Sequence, residues 1–197
     1  MTKDFWNERY GQEDFAYGKS ANEFLKSNPF PAGSKILCLA EGEGRNGVFL
    51  AQQGHLVACI DYSESGIRKM QTLATENNVV LQTVCADLND VELEPNAWDG
   101  IVVVFGHFPA KLRQQIHRQI YPALKKGGKM VLEAYRKEQL SYKTGGPMTS
   151  DLLYSAEELT NDFSDFSELE VIEVVREVRE GAYHFGEAAV IQVIAVK

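Results

Sequence analysis

At 197 residues the chain exceeds the roughly 100–150 residues of a usual single-core unit but is short for two, so one domain over residues 1–197 is expected. Its 44% hydrophobic and 24% charged residues exclude a disordered, collagen-like or disulfide-scaffold chain. A net charge of −8 disfavours nucleic acid and anionic lipid as partners, and no apolar run approaches the roughly 18 residues that would cross a bilayer.

The charged start, Lys3-Asp4-Phe5-Trp6-Asn7-Glu8-Arg9, lacks a signal-peptide pattern, which leads to the expectation of a cytoplasmic protein acting on a small molecule. Six aromatics, Phe5, Trp6, Tyr10, Phe15, Tyr17 and Phe24, fall within the first 24 residues. Segment 1–28 is therefore expected to fold over a ligand as a lid, or else to pack as extra core. Residues 35–40 read as a buried strand, 48–54 as the following helix, and 56–61 as a second strand. Ser63 then caps a helix with apolar positions Ile67, Met70 and Leu73. Strands are expected over 79–85 and 100–105, followed by a helix carrying Leu112, Ile116, Ile120 and Leu124 that Gly127-Gly128 stops. Residues 129–135 supply a fifth strand. Ser155-Ala156-Glu157-Glu158 matches a capping box, and the runs 169–179 and 188–196 are joined too closely for a parallel crossover. The expected fold is a three-layer α/β sandwich with a seven-stranded, mainly parallel sheet and a C-terminal antiparallel hairpin. Cys38, Cys59 and Cys85 form no CxxC pair and are expected to be reduced, buried and structural, with no metal site.

The turn after the first strand, Ala40-Glu41-Gly42-Glu43-Gly44-Arg45-Asn46-Gly47, contains G-x-G-x-x-G, and Asp61 ends the next strand. That pair of features suits any adenosine cofactor, including a nicotinamide dinucleotide. Charge favours S-adenosylmethionine: a pyrophosphate beside Glu41 and Glu43 would pay on the order of 4 kcal/mol for each close like-charge contact, whereas a sulfonium and an ammonium would be attracted.

With Phe5 to Tyr10, Tyr17-Gly18, Glu41 to Asn46, Asp61-Tyr62-Ser63, Ala86-Asp87-Leu88 and Thr144-Gly145-Gly146-Pro147, nearly the whole chain resembles the class I S-adenosylmethionine-dependent methyltransferases. More narrowly, it resembles a bacterial group related to the tellurite-resistance and thiopurine methyltransferases. The resemblance implies that Tyr17, Glu41, Gly42, Glu43, Gly44, Arg45 and Asn46 wrap the methionine part of the cofactor. Asp61, with Tyr62 and Ser63, would hold the ribose; Ala86, Asp87 and Leu88 would line the adenine, and Phe105 the same pocket. The common pattern has an acid where this chain has Cys38 and a glycine where it has Ala40, and Glu41 is expected to substitute for the acid.

Methyl transfer from a sulfonium needs alignment above all, and a base only for acceptors such as alcohols or amines. His107, after the fourth strand, is the candidate base, with a purely structural role as the alternative. Trp6, Tyr10, His107, Glu133 and Tyr135 are expected to line the site of a small-molecule acceptor, with a plain structural role as the alternative for Glu133 and Tyr135; thiols and selenium or tellurium compounds are the candidate acceptors. His55, His117 and His184 are expected to be structural or solvent-facing, and Thr144 to Pro147 a second cover. The rival functions are a non-catalytic S-adenosylmethionine sensor, an NAD-dependent oxidoreductase and a nucleic-acid methyltransferase. The oligomeric state is left open.

Overall fold

The computed structural model describes residues 2–197. Two short helices open the chain, α1 (Lys3–Tyr10) and α2 (Glu23–Lys26). Then β1 (Lys35–Leu39), α3 (Arg45–Gln52), β2 (Leu56–Asp61), α4 (Glu64–Glu76), β3 (Gln82–Cys85), β4 (Trp98–Val104), α5 (Ala110–Ala123) and β5 (Leu124–Tyr135) alternate. The chain closes with α6 (Ala156–Asp162) and the hairpin β6 (Glu168–Glu180) and β7 (His184–Val196). The seven strands form one sheet in the order β3-β2-β1-β4-β5-β7-β6. The pairs among β1 to β5 are parallel, and β7 pairs antiparallel with both β5 and β6.

Period-two alternation sorts the strands onto two cores. Leu37, Leu39, Ala58, Ile60, Ile101 and Val103 meet Ile116 and Ile120 of α5 and Leu159 of α6. Ile36, Cys38, Val57, Cys59, Val102 and Val104 meet Leu50 of α3 and Ile67 and Met70 of α4. Both faces of β1, β2 and β4 are therefore largely dry, which explains their near-continuous apolar sequences, whereas the edge strand β3 is mostly exposed.

Two sequence expectations need correcting. Leu124 does not continue α5: its backbone is extended (φ −71, ψ 140), with Pro122 two residues before it, and β5 runs straight through Gly127-Gly128, which therefore stop no helix. Cys85 is exposed, unlike Cys38 and Cys59, because it closes the edge strand β3. The capping box at Ser155 is present on both sides, and Ser63 caps α4 by accepting from the Gly66 N–H.

The strand order reverses between β1 and β4, so the loops leaving their carboxyl ends diverge and open a crevice, the position at which doubly wound folds take ligands. A second consequence comes from strand length. β5 ends its pairing with β7 at Tyr135 and Val190, and β7 extends six residues further, to His184. At about 3.3 Å per residue, this overhang carries the end of the hairpin roughly 20 Å along its path past the sheet edge.

Candidate functional site

Two cavities open at that crevice. The first, about 240 Å³, is lined by the loop 40–46, by Arg9 and Tyr17 of the N-terminal segment, by Gly145 to Met148, and by Tyr183 and His184 of the hairpin. The second, about 340 Å³, is lined by Asp61, Tyr62, Ala86, Asp87, Leu88, Phe108 and Leu112. Trp6, Tyr10, Ala40, Phe105 and His107 border both. Ala40 and Phe105 follow β1 and β4 directly, and both adopt left-handed backbones, φ 52 and φ 53. Such conformations cost a non-glycine residue about 1–2 kcal/mol, and here they turn the chain sharply at the two central strand ends.

The loop acids are anchored by the protein. Helix α3 begins at Gly44, which has φ 91 and no side chain to cap the helix. Glu41 does so instead: its Oε1 accepts the N–H groups of Asn46 at 2.8 Å and Gly47 at 2.9 Å. Burial lifts its pKa to about 7 against the pull of those two N–H groups and of Arg45. Glu43 pairs with Lys69 at 2.9 Å and accepts the Tyr17 N–H. The expected picture of two free carboxylates facing a sulfonium is therefore corrected. Glu41 still discriminates between cofactors, by another route. The helix N–H groups that would greet a pyrophosphate in a dinucleotide site are already taken.

Asp61 lies on the wall of the second cavity, with Oδ2 accepting from Gly42 N at 2.9 Å and Oδ1 from Ser63 N at 2.8 Å. Burial raises its pKa, and the Ser63, Gly42 and Tyr62 N–H groups work against that rise. Three N–H groups on about four acceptor sites leave the carboxylate room to accept from a ribose hydroxyl. Gly42 is a cradle of the same kind: at φ 64, a Cβ built there would stand 2.8 Å from the Tyr10 hydroxyl, so only glycine leaves that space open. Asp87 accepts from the backbone and side chain of Asn89 while lining the second cavity beside Leu88.

Several expected site residues lie elsewhere. Gly44 is turned against Met70, and Ser63 is fully buried, its hydroxyl donating to Asn7 Oδ1 at 2.8 Å; neither borders a cavity. Glu133 is completely buried under the sheet edge, bonded to Arg176, Asn22 and Gln192, and does not meet an acceptor. Tyr135 stacks behind Phe105 at 4.5 Å and beneath Gly146, outside both cavities. His107 borders both cavities with its ring, yet both nitrogens are engaged. Nδ1 faces the Leu152 carbonyl at 2.8 Å and so carries the proton, while Nε2 accepts the Tyr135 N–H at 3.2 Å. Burial drives its pKa down to about 3. With no free lone pair it cannot serve as the base, and the structural alternative describes it.

The N-terminal segment divides between the two roles expected of it. Trp6 stacks on Tyr10 at 5.2 Å and both roof the cavities with Tyr17, whereas Phe15 and Phe24 pack into the cores. Arg9 and His184 are wall residues that the sequence did not single out for the site. Arg9 follows Trp6 by three residues on α1, a spacing that puts both on one face and was legible. His184 reaches the site only through the overhang of the hairpin, which no local pattern announces.

Residues 36–128 match a methyltransferase domain. The domain covers β1 to the first part of β5, the half of the sheet that carries Asp61 and the loop 40–46. Over 141 residues the chain is 25% identical to an uncharacterized methyltransferase, YbaJ, of Bacillus subtilis; this takes in 66% of the chain but spans only 55% of that relative's length. Solved structures share the fold. An S-adenosylmethionine-dependent methyltransferase from Methanosarcina mazei superposes with a TM-score of 0.69 at 17% identity, covering 90% of this chain and 98% of that one. TehB from Haemophilus influenzae gives 0.73 at 19% identity, covering 99% of this chain and 66% of that one. The methyl donor of this domain class is S-adenosylmethionine, and the glycine cradle, Asp61 and the capped α3 fit it. No described helix is long and apolar enough to cross a membrane.

Proposed function

We propose that the chain transfers a methyl group from S-adenosylmethionine to a small acceptor. The observation that carries this is the meeting of two cavities beneath Trp6 and Tyr10 at the reversal between β1 and β4. The second cavity takes the adenosine, with Asp61 accepting from the ribose hydroxyls and Leu88 and Leu112 against the base. The loop 42–46 follows the methionine part, and the first cavity admits the acceptor between Arg9, Tyr17 and the 145–148 loop. When bound, the cofactor supplies an electrophilic methyl carbon on a cationic sulfur. The chain's own residues align the acceptor, exclude water with the Trp6, Tyr10 and Tyr17 roof, and keep Ala40 and Phe105 as the narrow wall between the two compartments. An acceptor of the thiol, selenium or tellurium kind fits such a site because its nucleophile needs little activation.

Calorimetry with S-adenosylhomocysteine and, separately, NADH tests this reading: the first is expected to bind and the second not. Binding of NADH alone would restore the oxidoreductase. Binding without turnover of any thiol or oxyanion would leave a sensor.

A further inference from the structure

His184 is an ionisable side chain in the wall of the first cavity. It is only 6% exposed, yet its buried Nδ1 has no hydrogen-bond partner among the described residues. Its Nδ1 stands 4.0 Å from Glu180 Oε2, too long for a hydrogen bond. Glu180 and His184 are directly opposed partners at the end of the hairpin, so their side chains share one face of the ladder. The turn between them is clasped by the N-terminal segment, with Ala182 N–H donating to Ala16 O at 3.1 Å, and this sets Tyr17 against the imidazole at 4.4 Å. Phe105, at 4.7 Å, holds the ring from the side of β4.

We propose that His184, backed by Glu180, takes the proton from a protic acceptor in the first cavity. This rests on the methyl-transfer reading above and adds the residue that widens it beyond pre-ionised nucleophiles. The acceptor's X–H pair forms the X–CH3 bond, the methyl–sulfur pair stays on sulfur, and the proton goes to the free imidazole nitrogen. One positive charge enters as sulfonium and one remains as imidazolium, so the site's net charge is constant through the step. Glu180, whose Oε2 lies 4.0 Å from Nδ1, faces the new cation and offsets its charge.

The surroundings keep the ring neutral beforehand. Burial lowers its pKa, Arg45 of α3 and Arg9 of α1 push the same way, and Glu180 opposes them. Tyr135, Tyr17 and His107 are the other titratable groups around it. Glu180 is itself ionised: burial would raise it, but His184, Arg45 and Arg176 hold it at about 2. Neutral imidazole with an ionised carboxylate behind it is the arrangement of a general base and its orienting group.

The test uses 4-nitrophenol, whose anion is yellow, added to the wild-type complex with S-adenosylhomocysteine at a pH below the free phenol's pKa. The bound probe is expected as the phenolate, with no net proton release when buffers of different ionisation heat are compared. In H184Q the bound probe stays colourless, its apparent pKa higher by about one unit or more, a tenfold or greater loss of phenolate. H184Q is expected to bind S-adenosylhomocysteine within about threefold of wild type, and H184N replaces it if its melting temperature falls. Equal phenolate in wild type and variant, or a complex that does not hold the probe, overturns the assignment. Failure of the wild type to bind S-adenosylhomocysteine overturns the methyl-transfer reading instead.

Discussion

Replacing Asp61 with alanine separates two functions that one carboxylate performs. In the free protein, D61A strands the N–H groups of Gly42 and Ser63, now bonded at 2.9 and 2.8 Å. At about 1–3 kcal/mol for each unsatisfied buried donor, the apo protein loses about 2–6 kcal/mol, a large part of the 5–15 kcal/mol available to a typical domain. Hydrogen bonds from ribose hydroxyls to a charged acceptor add about 1.5–3 kcal/mol to binding, so the affinity for S-adenosylhomocysteine should fall about 10- to 150-fold. Urea denaturation without ligand reads the first loss. Calorimetry at a temperature where the variant remains folded reads the second. D61N keeps one oxygen and should show a smaller version of both effects. An alanine variant that is folded and binds S-adenosylhomocysteine with unchanged affinity would refute the placement of the ribose against Asp61.

Removing the Glu41 side chain as E41A uncaps α3 and should cost about 2–4 kcal/mol in urea denaturation, while E41Q, which keeps an oxygen for Asn46 and Gly47, should cost clearly less. His107 has a folded pKa of about 3, below its unfolded value of 6.5, so its neutral form stabilises the fold fully above pH 6.5 and progressively less as the pH drops toward 3. The loss approaches about 1.4 kcal/mol per pH unit inside that window, so the stability gap between wild type and H107Q, measured by denaturation at pH 7, 6 and 5, should narrow by about half that step from pH 7 to 6 and by nearly the whole step from 6 to 5. Ala40 at φ 52 predicts that A40G raises stability by about 0.5–1 kcal/mol, the relief of left-handed strain exceeding glycine's entropy cost; a lower melting temperature would show the strain to be absent.

The parallel half of the fold was legible because its central strands β1, β2 and β4 are largely dry on both faces and α3, α4 and α5 turn apolar positions inward, so the residues declare their element locally. The same locality put Asp61 and Gly42, at a strand end and in the turn after a strand, in the lining of the two cavities. Ala40 departs from the glycine common in the family pattern, and its positive φ shows why glycine suits that position. Glu133, Tyr135 and His107 were misjudged for a shared reason: proximity to the carboxyl edge was legible, but the direction of each side chain depends on partners far along the chain. Arg176 for Glu133 and the Leu152 carbonyl for His107 come from β6 and from the segment before α6. Leu124 followed helical spacing in the sequence, yet pairing with Trp98 of β4 drew it into the sheet.

The site is completed by the two ends of the chain, which places its weak point outside the cavities. Asn22 ties the N-terminal segment to Glu133 of β5 and Glu180 of β6, and Glu180 binds Arg45 of α3 and Arg176. Each carboxylate in this network is nearly or fully buried, so each depends on an arginine to offset its desolvation. Loss of one charge would leave its partner buried and uncompensated, at a typical cost of about 3–5 kcal/mol, and would also loosen the hairpin end that carries His184. Asp61 and Leu88 lie outside that network, whereas the loop 40–46 joins it through Arg45, paired with Glu180, and through Asn46, which accepts the Asn22 N–H. In the wall of the first cavity, Tyr17 and His184 meet where the hairpin turn beyond Glu180 is clasped by residues 16–18. A substitution in the buried ion network should therefore disturb the first cavity more than the Asp61 wall of the second.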